Sequence, residues 1–513
     1  MGKLLPQYQK SVVEDIINSI SSGDSNYYAF AANPISYAGD TPDVTEDDYT
    51  TTFTNNWQML FGKKLSAGNI SPVIKNNLWQ SGTVYNRYDH TSVNLNNYYV
   101  ICRSTEYGSY YNIYKCIDNN GGGKSTSQPD QVQETTFIKE DGYKWRYISS
   151  IPYSVYNKIA TDNYSPVTSN NDIVTNAYVN SGVEVVVINQ AGDGYSSYSS
   201  GVIQGKPSTT RLQIQSSTVD QDFFTGNSIY IYNDTINNAQ LADIARHIIT
   251  NGAHYVTLDT PVNIGDTYVK EGVTKYKISP KVVFDTDGEL QPKAITTVNP
   301  SGNSIQTIQI IDPGSGISWA NVSIQSNNSY GSGAAVYGIV PPAGGHGSNP
   351  AVEMGVVGFS TVFEFSNTEN NTISGGTRYN KIGLIKNPYS ISQETGEKTT
   401  RYTSATFSSL LEATVSTPVV FDIGEKVVGY NSKAIGTVAF SNSSQVFLTG
   451  DRKRFIDGER IDNETGKYTS ITINTIGDIY TKDLTPLYIQ NITDVARSTD
   501  IEQSELFKLI IKV

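Results

Sequence analysis

The sequence predicts a mainly β protein with a few short helices, and three observations support that prediction. Only 17% of the 513 residues are charged, whereas Gly and Tyr are abundant at 43 and 35. Short alternating segments such as GVEVVVIN, SIQTIQIID and EKVVGYN are bounded by Gly, Asn or Asp, as strands and their turns are. Long runs of the residues that favour helices are few. At this length we expect several domains, built as β-sandwich or barrel-like modules.

Three segments have the spacing of apolar residues that predicts a helix. The first covers residues 8–20, and the second covers residues 47–60 and follows the capping-type stretch TPDVTEDD. The third is AQLADIARHIIT, in which Leu241, Ile244, Ala245, Ile248 and Ile249 recur at helical intervals. The rest of the chain is predicted to be short strands.

An internal repeat indicates two related β-modules. The segment that begins at Gly182 aligns without gaps with the segment that begins at Ser304. Each copy is a predicted strand, a G-x-G turn and a second strand, with Gly192 and Gly194 in the first copy. A G-x-G pair also occurs in dinucleotide sites, but there it opens a helix and is followed by a third glycine. The polar turn and strand found here favour a structural role.

The overall charge argues against two classes of partner. The formal net charge is −12 and the isoelectric point is near 4.9. A phosphate-binding surface needs concentrated Lys and Arg, so we expect no nucleic-acid partner and no binding to anionic membranes. No apolar segment is long enough to span a bilayer, and the N-terminus lacks the pattern of a secretory signal. We therefore expect synthesis in the cytoplasm without export by the general pathway.

Cys102 and Cys116 flank a turn-like segment whose midpoint is Ser109. A hairpin that turned there would place the two thiols opposite each other, which makes a cross-strand disulfide conceivable. Cytoplasmic synthesis favours the alternative, in which both are small apolar residues on one face of a hairpin.

No catalytic, cofactor-binding or metal-binding residue is predicted. The segment GGGKST, at 121–126, resembles the end of a P-loop, but it lacks the first glycine and no helix follows it. His90, His247, His254 and His346 form no recognisable ligand pair, although His346 lies in a glycine-rich loop that could present it. The segment FDTDGEL predicts an Asp-Gly turn rather than a calcium loop, and RKR at 452–454 predicts a solvated hairpin tip.

Several segments, taken in order, resemble the dimeric wedge subunit of T4-like contractile-tail baseplates. The first group contains SNYYAFAANPISYAGD, ISPVIKNNLWQSGTVYNRYD, YNIYKCIDNNGGGKSTSQP and DGYKWRYISSIP. The likeness resumes at RYNKIGLIKNP and closes with PLYIQNITDVARSTDIEQSELFKLIIKV. The loop GGHGSNPAVEMG is similar to members of this family from marine and cyanobacterial phages.

The resemblance implies an interrupted family core. Residues 1–165, 376–395 and 481–513 would form that core, and the last of these ranges would supply a C-terminal strand. Residues 166–375 would be an inserted β-rich region that contains the repeat, and residues 396–480 a second, small β-module. Deleting the last ten residues is then expected to destroy solubility, and a soluble, dimeric truncated protein would contradict this arrangement.

The resemblance also implies an architectural, non-enzymatic function in the virion tail. The subunit would form a homodimer that contacts other wedge proteins around the central hub, without cofactors. An alternative is a receptor- or glycan-binding tail protein, since β-modules with loops rich in Tyr and Asn suit carbohydrate contact. A polysaccharide-degrading tailspike is a third possibility, but it predicts many short β-helix coils that the sequence lacks.

Overall fold

The structure, a computed structural model, describes residues 6–37, 39, 42, 48–92, 97–104, 109–233, 236–325, 330–369, 373, 375–450 and 454–513. The predicted fold class is confirmed, because strands account for 47% of the chain and helices for 10%. The described helices are α1 Pro6–Ser21, α2 Tyr49–Trp57, α3 Tyr153–Ile159, α4 Asn171–Asn176 and α5 Pro350–Glu353. The helices predicted at 8–20 and 47–60 correspond to α1 and α2, but residues 59 and 60 belong to a strand and residue 47 lies outside the described residues.

Most of the strands are short, although the strand Ile236–Thr250 has 15 residues. The first group is β1 Tyr27–Ala32, β2 Met59–Lys64, β3 Ile70–Lys75, β4 Tyr99–Arg103, β5 Tyr110–Asp118, β6 Phe137–Ile138, β7 Lys144–Pro152 and β8 Tyr164–Pro166. The second group is β9 Val185–Asp193, β10 Ser199–Ser208, β11 Arg211–Ile214, β12 Asn227–Asn233, β13 Ile236–Thr250, β14 Ala253–Leu258, β15 Lys275–Thr286, β16 Lys293–Asn299, β17 Ser304–Asp312, β18 Ala320–Gln325 and β19 Ser332–Ile339.

The remaining strands complete the chain. They are β20 Gly358–Ser366, β21 Arg378–Lys386, β22 Tyr389–Ile391, β23 Lys398–Arg401, β24 Thr406–Ser408, β25 Leu411–Val415, β26 Lys426–Gly429, β27 Ile435–Ser441, β28 Gln445–Leu448, β29 Arg460–Asn463, β30 Tyr468–Thr475, β31 Ile479–Tyr480, β32 Pro486–Ala496 and β33 Ser504–Lys512.

The chain divides into two compact units, each made of discontinuous segments. Unit 1 contains Met1–Ile74, Lys158–Pro166 and Val356–Val513, and unit 2 contains Lys75–Asn157 and Val167–Gly355. The earlier division into a family core and insertions refers to the resemblance, so it stays a prediction.

Unit 1 contains two sheets that share a hydrophobic core. One sheet has the order β24-β2-β1-β21-β32, and the other has the order β33-β20-β3-β8. The strand β1 (YYAFAA) is buried along its whole length and lies between β2 and β21, as expected for a central strand covered on both faces. Phe363, Phe365 and Phe507 pack between the sheets, and α1 adds Val13 to the same core.

The C-terminal strand is fully integrated into unit 1. All nine residues of β33 pair antiparallel with β20, from Ser504 opposite Ser366 to Lys512 opposite Gly358. Deleting the last ten residues would remove this strand and expose the Phe363 side of the core, which is the physical basis of the predicted loss of solubility.

A separate small module of unit 1 is a closed barrel with the strand order β25-β28-β27-β26-β29-β30. Its interior is filled by aliphatic side chains and by Phe421 and Phe455. Closing the sheet leaves no open edge within the module.

Unit 2 contains a four-stranded sheet, a two-stranded sheet and a large sheet. The four-stranded sheet has the order β4-β5-β7-β6, and β9 pairs with β19. In the large sheet, β10 pairs with both β11 and β15, which closes the ring β10-β11-β14-β13-β12-β15 around a core that includes Ile229 and Tyr276. Strands β16, β17 and β18 extend the large sheet beyond β15.

The structure confirms that both repeat copies are a strand, a G-x-G turn and a second strand. All four glycines have positive φ, from 64° to 76°. The two strands of a copy do not pair with each other, since β9 pairs with β19 and β17 pairs with β16. Instead the copies contact one another: Tyr195 N–H donates to Asn303 O (2.7 Å), and the equivalent Ile317 N–H donates to Ser181 O (3.3 Å). The repeat is thus an internal pair with reciprocal contacts.

The prediction of a helix in AQLADIARHIIT is wrong, because these residues belong to β13. Asn251 and Gly252 follow with φ of +48° and +75°, which forms a tight hairpin into β14. A bulge between Ile244 and Arg246 shifts the register, so that Ala242, Ile244 and His247 all point inward. Of the residues whose spacing predicted the helix, only Ile244 is buried, while Leu241, Ile248 and Ile249 are half-buried and Ala245 is exposed. The helical spacing of apolar residues therefore does not correspond to one buried face.

Candidate functional site

The glycine-rich loop around His346 is shaped by its backbone. Gly345 and Gly347 have φ of +90° and +80°, a region that side chains rarely adopt. A Cβ atom on Gly345 would collide with the carbonyl of Ala177, and one on Gly347 would collide with Ile173. The loop then enters α5, where the Asn349 side chain accepts the Val352 N–H at 3.3 Å.

The loop and α5 bring three ionisable side chains together in the interior of unit 2. Lys115 Nζ lies 2.7 Å from Glu353 Oε1, and His346 Nδ1 lies 2.8 Å from the same oxygen. The other carboxylate oxygen, Oε2, accepts the Gly347 N–H at 2.7 Å. The three side chains are 0%, 2% and 4% exposed in the order Lys115, Glu353 and His346. We call Lys115, Glu353 and His346 the charged cluster.

Aromatic residues enclose the charged cluster. Lys115 Nζ lies 3.2 Å from the centroid of the Tyr88 ring, a close cation–π contact. The Tyr98 hydroxyl donates to Glu353 O at 2.7 Å, and Tyr88 also lies edge-on to His346. Each member of the cluster is therefore held by its neighbours as well as by charge.

The electrostatics of the charged cluster favour an ionised carboxylate. Burial alone would raise the pKa of Glu353, but the Lys115 charge and the His346 hydrogen bond lower that pKa to about 2. Burial lowers the pKa of Lys115 to about 8, although Glu353 opposes this change. The pKa of His346 is lowered, mainly because the side chain is buried and also because the Lys115 charge is close, so the imidazole favours its neutral form.

The arrangement fastens the loop to the sheet. Lys115 belongs to β5, whereas His346 and Glu353 belong to the loop and α5. The Glu353 carboxylate accepts hydrogen bonds from Lys115, His346 and the Gly347 N–H, so its acceptor oxygens are all paired. A buried ion pair of this kind is stable only while both charged partners are present. No group of three or more metal-ligating side chains occurs among the described residues. The geometry is that of a structural lock.

A second buried site contains two histidines that the sequence did not pair. His247 Nε2 lies 3.3 Å from His254 Nδ1, and the two rings stack with an interplanar angle of 8°. Phe224 contacts His247, whose pKa is lowered to about 4 by burial and then by His254. We call His247 and His254 the histidine pair. The Asn251–Gly252 turn signal could have found it, because a hairpin there places the two residues on adjacent strands.

The remaining histidine, His90, and the P-loop-like segment form hydrogen bonds within the chain. His90 Nδ1 accepts the Val340 N–H at 3.4 Å. At the end of the GGGKST segment, the N–H groups of Thr126 and of the following residue, Ser127, donate to the Asp141 carboxylate at 2.8 and 3.0 Å. These N–H groups therefore already have an anionic partner within the chain, and the segment is a largely exposed loop held by Asp141.

The expectation that Cys102 and Cys116 lie opposite each other in a hairpin centred on Ser109 is wrong. Cys102 lies opposite Asn112 in the β4–β5 pair, and the Cys116 N–H donates to Tyr98 O at 2.8 Å. The pairing of β4 with β5 is not centred on Ser109 but on a position closer to the N-terminus. The two cysteines are therefore not opposite each other, and Cys116 lies four residues beyond the partner of Cys102. Both cysteines are free and buried in one apolar cluster, as the alternative predicted.

Other segments singled out in the sequence have structural contacts. Asp287 of FDTDGEL accepts the Ser318 and Trp319 N–H groups at 2.9 and 3.2 Å, so it stabilises the second repeat copy. Arg454 donates to the carbonyls of Glu394 and Gln393, both at 2.9 Å, while residues 452 and 453 lie outside the described residues.

A comparison with models of known protein families finds no match, and a comparison with curated protein sequences finds none either. Within the described part of the chain, no helix is both long and apolar enough to cross a membrane.

Proposed function

We propose that this chain is a structural subunit of a contractile-tail phage baseplate wedge, active as a homodimer that links other wedge proteins around the hub. The observation that supports the proposal is the assembly of unit 1 from distant parts of the chain. Among the segments that resemble the wedge subunit, those in unit 1 supply β1, β2, β3 and β8, then β21, and finally β32 and β33, whereas the segments between Lys75 and Asn157 belong to unit 2.

The pairing explains why those segments would belong together. Strand β21 pairs with β1 on one side and with β32 on the other, so three segments that are distant in sequence are neighbours in one sheet. Backbone hydrogen bonds across such a ladder make the two-sheet core a rigid body. A rigid body can transmit force and move as a whole when a tail contracts.

The test is the position and stoichiometry of the chain in the assembled particle. Cryo-electron microscopy of the intact virion should place it in the baseplate wedge, as two copies in mutual contact. Purified full-length protein should have twice the chain mass of 56.1 kDa in sedimentation equilibrium. A position in a distal fibre, or a trimeric mass, would overturn the proposal in favour of a receptor-binding tail protein.

A further inference from the structure

A groove of about 780 Å³ lies on unit 2 beside the ring of strands. That volume falls within the range of sites that hold small ligands. Its walls come from four parts of unit 2: strands β12 and β13, the loop after β14, strand β15, and the β16–β17 pair. The polar side chains at this groove include Gln240, Asp243, Asp259, Lys281, Lys293 and Asp312.

The groove combines hydrogen-bond acceptors with donors. The carboxylates of Asp243, Asp259 and Asp312 only accept, whereas the ammonium groups of Lys281 and Lys293 only donate. A sugar hydroxyl both donates and accepts, so such a mixed lining suits a polyhydroxylated ligand. Since the carboxylates outnumber the ammonium groups, a phosphate or nucleic acid is disfavoured.

Part of the groove is already held in place. Lys281 Nζ lies 2.5 Å from Asp243 Oδ2, and Ser228 Oγ donates to Asp243 Oδ1 at 2.6 Å. The Gln240 amide exchanges two hydrogen bonds with the Asn263 backbone, at 2.9 and 2.6 Å. Polar groups fixed before binding lose less conformational entropy when a ligand arrives.

Two tyrosines beside the groove give this side of β12 an aromatic surface, although neither lines the groove itself. Tyr230 and Tyr232 lie on the outer side of β12, because the intervening Ile231 belongs to the core. Their rings stack with centroids 5.4 Å apart and an interplanar angle of 15°. Ser228, on the same side of β12, lines the groove, and so does Leu241, which lies opposite Tyr230 on β13.

We propose that this groove binds a neutral oligosaccharide. One sugar ring would lie against the Tyr230–Tyr232 surface, because the C–H face of a pyranose is apolar and matches an aromatic ring. Hydroxyls of the neighbouring sugars would pair with the Asp and Lys side chains of the groove. The inference goes beyond the architectural function and does not depend on it, since the groove lies wholly within unit 2.

The test uses the purified full-length chain and an array of neutral and acidic oligosaccharides, followed by titration calorimetry with the neutral sugar retained best. We expect binding of at least one neutral oligosaccharide. The double substitution Tyr230→Ala/Tyr232→Ala should weaken that binding by about tenfold or more, whereas Tyr230→Phe/Tyr232→Phe should retain most of it, because Phe keeps the apolar ring face. Lys293→Met, which removes an exposed donor, should weaken binding by a smaller factor.

A matched control is Tyr430→Ala/Tyr468→Ala, which removes two tyrosines of the barrel that are 61% and 54% exposed. That variant should bind as the unmodified chain does. Retention of no neutral oligosaccharide would overturn the inference. Binding confined to acidic glycans, or binding that the Tyr230→Ala/Tyr232→Ala variant leaves unchanged, would also overturn it.

Discussion

The charged cluster and the histidine pair place ionisable side chains in the same unit by opposite means. In the charged cluster, Lys115 and Glu353 keep their charges because each neutralises the other at 2.7 Å. In the histidine pair, no opposite charge lies within the pair, so His247 and His254 are accommodated in their neutral forms. The comparison shows that a buried ionisable side chain is either paired with an opposite charge or held in its neutral form. These two arrangements respond differently to substitution and to pH.

The largest effect is expected from breaking the charged cluster on one side. Glu353→Leu leaves Lys115 buried without a counter-charge and should lower the free energy of unfolding by about 3–5 kcal/mol. The double substitution Lys115→Met/Glu353→Leu removes both charges and should recover most of that loss. Urea unfolding followed by tryptophan fluorescence would measure both. A double variant no more stable than Glu353→Leu would show that packing, rather than charge pairing, holds the loop.

The next effect is a loss of stability in mild acid, to which His247 and also His346, whose pKa is lowered as well, should contribute. The pKa of His247 falls from 6.5 in the unfolded chain to about 4 in the folded protein, so the unfolded chain binds the proton more tightly. Stability should therefore decrease as the pH falls from 6.5 towards 4, by about 2–3 kcal/mol.

The carboxylate of the charged cluster should respond in a lower pH range. The pKa of Glu353 is about 2, against 4.5 in the unfolded chain, so its contribution is present above pH 4.5 and is lost as the pH falls towards 2. Denaturation midpoints between pH 7 and pH 3 would distinguish the two ranges. In His247→Leu/His254→Leu the loss between pH 6.5 and 4 should shrink, and an unchanged pH profile would exclude the histidine pair as its source.

A smaller effect is expected from the loop that carries His346. Gly347→Ala adds a Cβ that meets Ile173 and forces a side-chain residue into φ of +80°. The cost should be about 1–2 kcal/mol. Gly252→Ala is a useful control, since φ there is also positive, at +75°, but nothing lies within 4 Å of the new Cβ. Equal losses in the two variants would assign the effect to backbone strain alone, without a contribution from the contact with Ile173.

The smallest effect is expected from Tyr98→Phe. This substitution removes the hydroxyl that donates to Glu353 O at 2.7 Å and leaves the ring in place. The expected loss is about 1 kcal/mol, because only one neutral hydrogen bond is deleted. Thermal unfolding would detect it, and a loss as large as that of Glu353→Leu would mean that Tyr98 positions the whole cluster.

The sequence located parts of both sites without joining them. It drew attention to His346 in its glycine-rich loop, but it indicated neither Glu353 as a partner nor Lys115, whose position is remote in the chain. His247 and His254 are close in sequence, yet the pattern around Ile244 was interpreted as a helix. The bulge between Ile244 and Arg246 that brings His247 to the buried side arises from the pairing with β14, and local propensity does not contain that information.

By itself the sequence determined the β-rich class, the helix α1 and the strand–turn–strand repeat, because alternation, helical spacing and glycine turns act over a few residues. Tertiary structure alone decided which strands share a sheet, which repeat copies meet, and which charges neutralise one another. Contacts such as Lys115–Glu353 join residues that are far apart in the chain, so their energies appear only when the whole chain has folded. That is why the fold class could be derived from residue patterns, whereas the charged cluster, the histidine pair and the groove could not.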